Sequence, residues 1–138
     1  MAIVYLILSK RRQMAILLFF KTFYKSIMTV KKYDEDNWEE VRNGVFRKVV
    51  YLKDIMTVMI EFRNGPWSEA DPFHSHPHEQ TCYIAKGQII LYSEGEPDQQ
   101  LVEGDLFYIA SGKKHTIKVI SPIARLVDSF SPIREDFL

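Results

Sequence analysis

One cysteine stands in the whole chain, Cys82, so no internal disulfide can form and nothing asks for an oxidising compartment. Net charge is lacking too: 18 lysines and arginines balance 18 acidic residues. The balance hides an asymmetry, because residues 1–27 hold Lys10, Arg11, Arg12, Lys21 and Lys25 and no acid. The remainder is mildly acidic and has no electrostatic reason to seek nucleic acid. Long hydrophobic runs are missing. Ala2–Leu8 and Met14–Phe20 flank Lys10-Arg11-Arg12, and each falls far short of the ~20 apolar residues of a membrane helix. No stable membrane span is therefore expected. A signal peptide would need one uninterrupted apolar stretch followed by a small-residue cleavage site, a pattern these residues do not show. Internal repeats, low-complexity tracts and interdomain linkers are absent as well.

What is present fits one globular domain. The chain has 138 residues, 46% hydrophobic and 26% charged, enough to bury a core without covalent staples. Met28 opens a polar stretch, MTVKKYDEDNW, and translation from Met28 is the expected reading. Residues 1–27 then form a doubtful leader, with a poor export signal or a basic amphipathic helix on a membrane as the alternatives. The expected domain is 28–138, in the cytoplasm.

From Val30 onward, short runs rich in β-branched and aromatic residues alternate with turn signals. The expected strands are Val45–Leu52, Ile55–Phe62, Thr81–Lys86, Gln88–Ser93, Gln99–Glu103, Asp105–Ile109, His115–Ile120 and Ile123–Phe130. Arg63-Asn64-Gly65-Pro66, Gly87, Glu94–Asp98, Gly104 and Ser111–Lys114 punctuate them. Such spacing predicts an all-β sandwich or barrel. Asp34–Arg42 is the one stretch expected to be helical, on its capping residues.

The chain has four histidines, and three of them fall in Phe73-His74-Ser75-His76-Pro77-His78-Glu79-Gln80. Alternate residues of a strand face one side, so His74 and His76 can point inward together. Imidazole is the commonest metal-ligating side chain. The plainer alternative is a set of surface or core histidines without a metal. His78 falls on the same face by alternation, although Pro77 can distort the strand. Glu79 should face solvent.

Gly65-x8-His74-x-His76-x3-Gln80-x6-Gly87 resembles the first cupin motif, with Gln in place of the usual Glu. Gly104-x5-Ala110-x-Gly112-x2-His115 resembles the second, with Ala110 replacing its proline and Val119 its final asparagine. The resemblance implies a double-stranded β-helix, a jelly-roll-like barrel, holding one divalent metal ion on His74, His76, Gln80 and His115. Zinc, nickel, manganese and iron all suit imidazole. An amide at position 80 leaves every protein ligand neutral, which favours Lewis-acid polarisation over oxygen-dependent redox chemistry.

The last expected strand runs into Asp128-Ser129-Phe130-Ser131-Pro132-Ile133-Arg134-Glu135-Asp136-Phe137-Leu138. By alternation Asp128 and Phe130 share a face, and a turn at Pro132 can fold Arg134 over the barrel mouth. Alternatively Phe130 is core, Asp128 ends a strand and Arg134 is a solvated charge. Together with His-Ser-His-Pro-His-Glu-Gln, this tail is similar to the small cupins of pectin degradation. That resemblance implies an enzyme converting 4,5-unsaturated monouronates, left by pectin or alginate lyases, to linear keto forms. It places Asp128 as acid/base, Arg134 on the substrate carboxylate and Phe130 against the sugar. Tyr83 and Tyr108 are additional candidate proton donors. The competing readings are another cupin enzyme, such as a sugar isomerase or dioxygenase, and a non-catalytic sugar- or small-molecule-binding module. Cupins of this size commonly pair as homodimers through sheet edges, and apolar Val45–Leu52 is the candidate edge.

Overall fold

Alternation of buried and exposed residues organises this chain, as β4 (Glu79–Lys86) shows: Gln80, Cys82 and Ile84 point inward while Glu79, Thr81 and Tyr83 point out. The structure is a computed structural model describing residues 30–138, so the expected leader, residues 1–27, lies outside the described residues. Asp34–Leu138 forms one unit. Its strands, besides β4, are β1 (Glu39–Arg42), β2 (Val45–Tyr51), β3 (Met56–Phe62), β5 (Gln88–Ser93), β6 (Gln99–Val102), β7 (Leu106–Ile109), β8 (His115–Val119) and β9 (Ala124–Ser131). A short 3-10 turn, Glu135–Phe137, follows. They form a six-stranded antiparallel sheet, β1-β2-β3-β9-β4-β7, facing a three-stranded one, β6-β5-β8. An extended segment lengthens the smaller sheet beside β8, through bonds from Trp67 N–H to Val119 O (2.9 Å), Asp71 N–H to Ile117 O (3.2 Å) and His74 N–H to His115 O (3.0 Å). This is the two-sheet, jelly-roll-like barrel that the motif resemblance implies.

Each of the eight expected strands forms, with ends within two residues of those expected. The expected helix at Asp34–Arg42 does not: Glu39–Arg42 is strand β1. A nine-residue helix is below the ~12–15 residues at which isolated helices become even marginal. This one has no apolar face to bury, since β1 is exposed at every position. Asn43-Gly44 instead makes a two-residue turn that pairs Arg42 with Val45. Gly44 takes φ +73° there, a conformation most side chains resist. The expected sheet edge, Val45–Leu52, is covered by β1 only along Val45–Arg47, and the outermost strands of the large sheet are β1 and β7.

The core is in two parts. Ile84, Ile89 and Val119, all 0% exposed, join Val45, Phe62, Cys82, Ala124 and Leu126 between the sheets. Met56, Val58 and Phe130 form the second part, with Ile133 and Phe137 packed on them. Burying each large aliphatic side chain is worth about 1.5–3 kcal/mol. On β9 Leu126 belongs to the first part and Phe130 to the second, and Asp128 sits between them. Gly87, in a cupin-motif position, has φ +79°, and a Cβ there would meet Ile123 O at 2.2 Å. The β4–β5 connection therefore requires glycine.

Candidate functional site

Backbone pairing brings the histidines together. His74 and His115 exchange two main-chain hydrogen bonds, of 3.0 and 2.9 Å, across an isolated bridge. His76 is 7% exposed and His115 4%. One ring nitrogen from each of His74, His76 and His115 lies within 4.8 Å of the others. Nitrogens about 2.1 Å from a shared ion sit no more than about 4.2 Å apart, so small side-chain rotations would close the set.

The protons are arranged to suit a cation. His76 Nδ1 faces His78 O at 3.0 Å, and His115 Nδ1 faces Lys113 O at 2.9 Å. A carbonyl only accepts, so each Nδ1 carries the proton and each Nε2 keeps its lone pair. Burial, ahead of nearby positive groups, lowers the pKa of both rings and favours the neutral, ligating form. His76 Nε2 then faces Gln80 Oε1 at 3.1 Å, acceptor against acceptor. The amide is held in that sense because its Nε2 donates to Asp128 Oδ1 at 2.9 Å. Converging lone pairs with no proton between them are the donor set a metal ion needs, so these residues fit a divalent cation.

Asp128 is 4% exposed and lies directly opposite Cys82 in the sheet register. Burial raises its pKa, opposed by hydrogen bonds from Cys82 and Gln80 and by the charge of Arg134. Burial and the neighbouring carboxylate push the Cys82 thiol far up, so it stays a neutral S–H donor. Phe130 is 2% exposed, with its ring edge-on to His76 at 5.7 Å. Arg134 lies over Phe137 (4.1 Å) and Phe130 (5.3 Å), while its guanidinium forks onto Asp136 at 2.7 and 3.3 Å. A cavity of about 220 Å³ is walled by His74, Gln80, His115, Asp128, Phe130 and Arg134 among others. That is below the ~300–1,000 Å³ of drug-sized ligand sites and suits a small ligand.

Some candidates stay outside. His78 is not in the nitrogen cluster; its carbonyl holds His76, and its own Nδ1 is buried without a hydrogen-bond partner. Residues 75–78 form no strand, so alternation does not govern them. Tyr83 (42% exposed) and Tyr108 (79%) lie away from the cavity, which removes them as proton donors. Glu79 is exposed as expected. Three residues near the site were not anticipated: Cys82, Arg42 and Asp71. Cys82 was readable, two positions beyond Gln80 on the same face. Arg42 and Asp71 meet only through the fold.

Among the described residues no helix is long and apolar enough to cross a membrane. The Cupin domain family matches residues 64–128. A pectin degradation protein, KdgF of Dickeya dadantii (strain 3937), is 33% identical over 106 residues, covering 76% of this chain and 94% of that one. The structure of KdgF from Halomonas sp. superposes with a TM-score of 0.71 at 30% identity, over 80% of this chain and all of the other. An RmlC-like cupin from Shewanella frigidimarina NCIMB 400 gives 0.69 at 27% identity, over 80% of this chain and 97% of that one. Two-sheet architecture, motif spacing and these likenesses agree: this chain belongs to the cupin family, among the pectin degradation proteins related to KdgF.

Proposed function

We propose that this protein is a metal-dependent enzyme that converts 4,5-unsaturated monouronates from pectin or alginate digestion to linear keto forms. The observation that carries this reading is one line of contacts from His76 through the Gln80 amide to buried Asp128, with Gln80 and Asp128 on the cavity wall. Kinship with a pectin degradation protein supports a sugar acid as the substrate.

His74, His76, His115 and Gln80 would hold one divalent ion, Zn, Ni, Mn or Fe. When bound, such an ion supplies Lewis-acid polarisation of a substrate oxygen. Asp128 carries the proton. The reaction is an isomerisation with no atoms gained or lost. The anomeric hydroxyl loses its proton as the bond from C1 to the ring oxygen breaks, leaving an aldehyde at C1 and an enolate at C5. The enolate becomes a ketone as C4 gains a proton. One carboxyl that accepts the first proton and delivers the second balances the sequence. Burial favours its protonated form, while the Cys82 and Gln80 hydrogen bonds and the Arg134 charge favour the carboxylate.

Gln80 keeps this arrangement workable. A glutamate in its place would set a second carboxylate against Asp128. Arg134 would take the substrate carboxylate in two parallel hydrogen bonds, releasing Asp136. Phe130 would close the apolar wall beside the sugar.

The test uses metal-loaded protein with unsaturated galacturonate and its alginate counterpart, with and without chelator. Loss of the ultraviolet absorbance of the conjugated double bond is followed against the uncatalysed rate. A metal-dependent acceleration is expected. No acceleration with metal bound would leave a sugar-binding module, and oxygen consumption would point to a dioxygenase.

A further inference from the structure

A second Arg–Asp pair stands on the wall of the same cavity, built from distant parts of the chain. Arg42 ends β1 on the edge of the large sheet, and Asp71 lies on the segment beside β8 of the small one. Both residues line the cavity. The Arg42 guanidinium donates to Asp71 Oδ1 at 3.1 Å and also engages Asp71 Oδ2.

An exposed ion pair usually contributes little to stability, about 0–1 kcal/mol, and its side chains wander. This one is braced from both sides. The Asp71 main chain is fixed by its N–H bond to Ile117 O (3.2 Å) and by the Thr116 hydroxyl donating to its carbonyl at 2.7 Å. Thr116 is 1% exposed and adjoins His115, so Asp71 is placed from the strand that carries a candidate metal ligand. Arg42 in turn lies over the Trp67 ring at 5.3 Å. Trp67 stands edge-on to Phe62 at 5.2 Å and donates its indole N–H to Asn64 at 2.8 Å. Side chains at the cavity wall are thus held in place while still half exposed, 50% for Arg42 and 33% for Asp71.

The chemistry of the pair is complementary to what the rest of the cavity leaves unmatched. A uronate presents a carboxylate, a reacting hemiacetal and two adjacent ring hydroxyls. Arg134 answers the first, and Asp128 with Gln80 the second. Adjacent hydroxyls both donate and accept, so they suit a carboxylate acceptor beside guanidinium donors. The unsaturated uronates from pectin and from alginate differ in the orientation of the C2 hydroxyl, one of these two groups. We propose that Arg42 and Asp71 form the hydroxyl-recognition subsite of this cavity and set its preference between C2 epimers. The assignment rests on the uronate reading above.

The experiment compares wild type, Asp71→Asn and Arg42→Gln, each metal-loaded, on both unsaturated uronates. It records kcat and KM separately, with metal content and melting temperature. The ratio of kcat/KM for the two epimers is expected to shift about tenfold in Asp71→Asn, the scale of one hydrogen bond. The loss should fall in KM, and metal content should hold. An unshifted ratio, with both substrates losing equally or not at all, overturns the subsite and leaves the pair a structural brace. Absence of turnover of either epimer by metal-loaded wild type would instead defeat the uronate reading itself, and this inference with it.

Discussion

Two buried carboxylates on neighbouring strands behave in opposite ways. Asp128 on β9 is 4% exposed and Glu61 on β3 is 5% exposed. Burial raises the pKa of Asp128, and hydrogen bonds from neutral Cys82 and Gln80 together with the charge of Arg134 only partly oppose the rise. Burial also opposes ionisation of Glu61, yet hydrogen bonds from Arg63 and Arg125 outweigh it and hold that carboxyl below its usual range. The cause is cross-strand register. Glu61 lies opposite Arg125, whereas Asp128 lies opposite Val58 on one side and Cys82 on the other. The same sheet therefore favours the anion of one acid and the protonated form of the other. Their consequences should separate cleanly, Asp128 governing turnover and Glu61 governing stability.

The hardest blow to that contrast is Asp128→Asn. Loss of a positioned acid/base group should lower kcat by about 10²–10⁴. The amide keeps the shape and an acceptor for Gln80, so metal content and melting temperature should not fall. Substantial remaining activity on an unsaturated uronate would end the proton-carrier role. Gln80→Glu sharpens the contrast by giving Asp128 the wrong neighbour. Metal content should hold or rise with the anionic ligand, while kcat falls roughly 10–100-fold through like-charge crowding of the acid. Atomic emission for the metal and steady-state kinetics for kcat read the two effects separately.

The difference between the two acids was only half legible in the sequence. Alternation along β9 put Asp128 and Phe130 on one face, and it does so in the structure. Glu61 and Arg63, two residues apart, could have been paired by the same rule. Register is another matter. That Glu61 meets Arg125 and Asp128 meets Cys82 depends on strands 64 and 46 residues apart in sequence, which no local pattern encodes. The orientation of the Gln80 amide follows from that register and was unreadable for the same reason. At β1 a local signal existed in Asn43-Gly44, but the capping residues of Asp34–Arg42 suggested a helix and tertiary pairing prevailed.

Glu61→Gln tests the stability side. Each Glu61 oxygen serves one arginine, Oε1 taking Arg63 at 2.7 Å and Oε2 taking Arg125 at 2.6 Å. Removing the charge should cost about 1.5–3 kcal/mol, the range for hydrogen bonds to charged groups, with kcat unaffected. The pH dependence has a definite sign. A carboxyl whose pKa is lowered by folding contributes stability above its unfolded value, near 4.5. That contribution is lost as pH falls through the lower, folded value. Melting temperature in wild type should therefore drop on acidification through this window, and the drop should be shallower in Glu61→Gln. Parallel profiles would mean that the two arginines do not stabilise the anion.

Arg63→Gln should produce the smallest effect. Its side chain is 36% exposed, against 23% for Arg125, so water already screens its half of the triad. Loss of Arg63 leaves Glu61 bonded to its cross-strand partner, and the cost should be about 0.5–1 kcal/mol. Arg63 also stacks at 4.1 Å from the Phe46 ring centroid, so Arg63→Lys is the better probe, keeping the charge while losing the planar stack. Chemical denaturation of both variants separates the contributions. Arg63→Lys matching wild type would assign the effect to charge, and matching Arg63→Gln would assign it to the stack. A loss as large as that of Glu61→Gln would show that Glu61 depends on both arginines together, and the central role given to β3–β9 register would then fail.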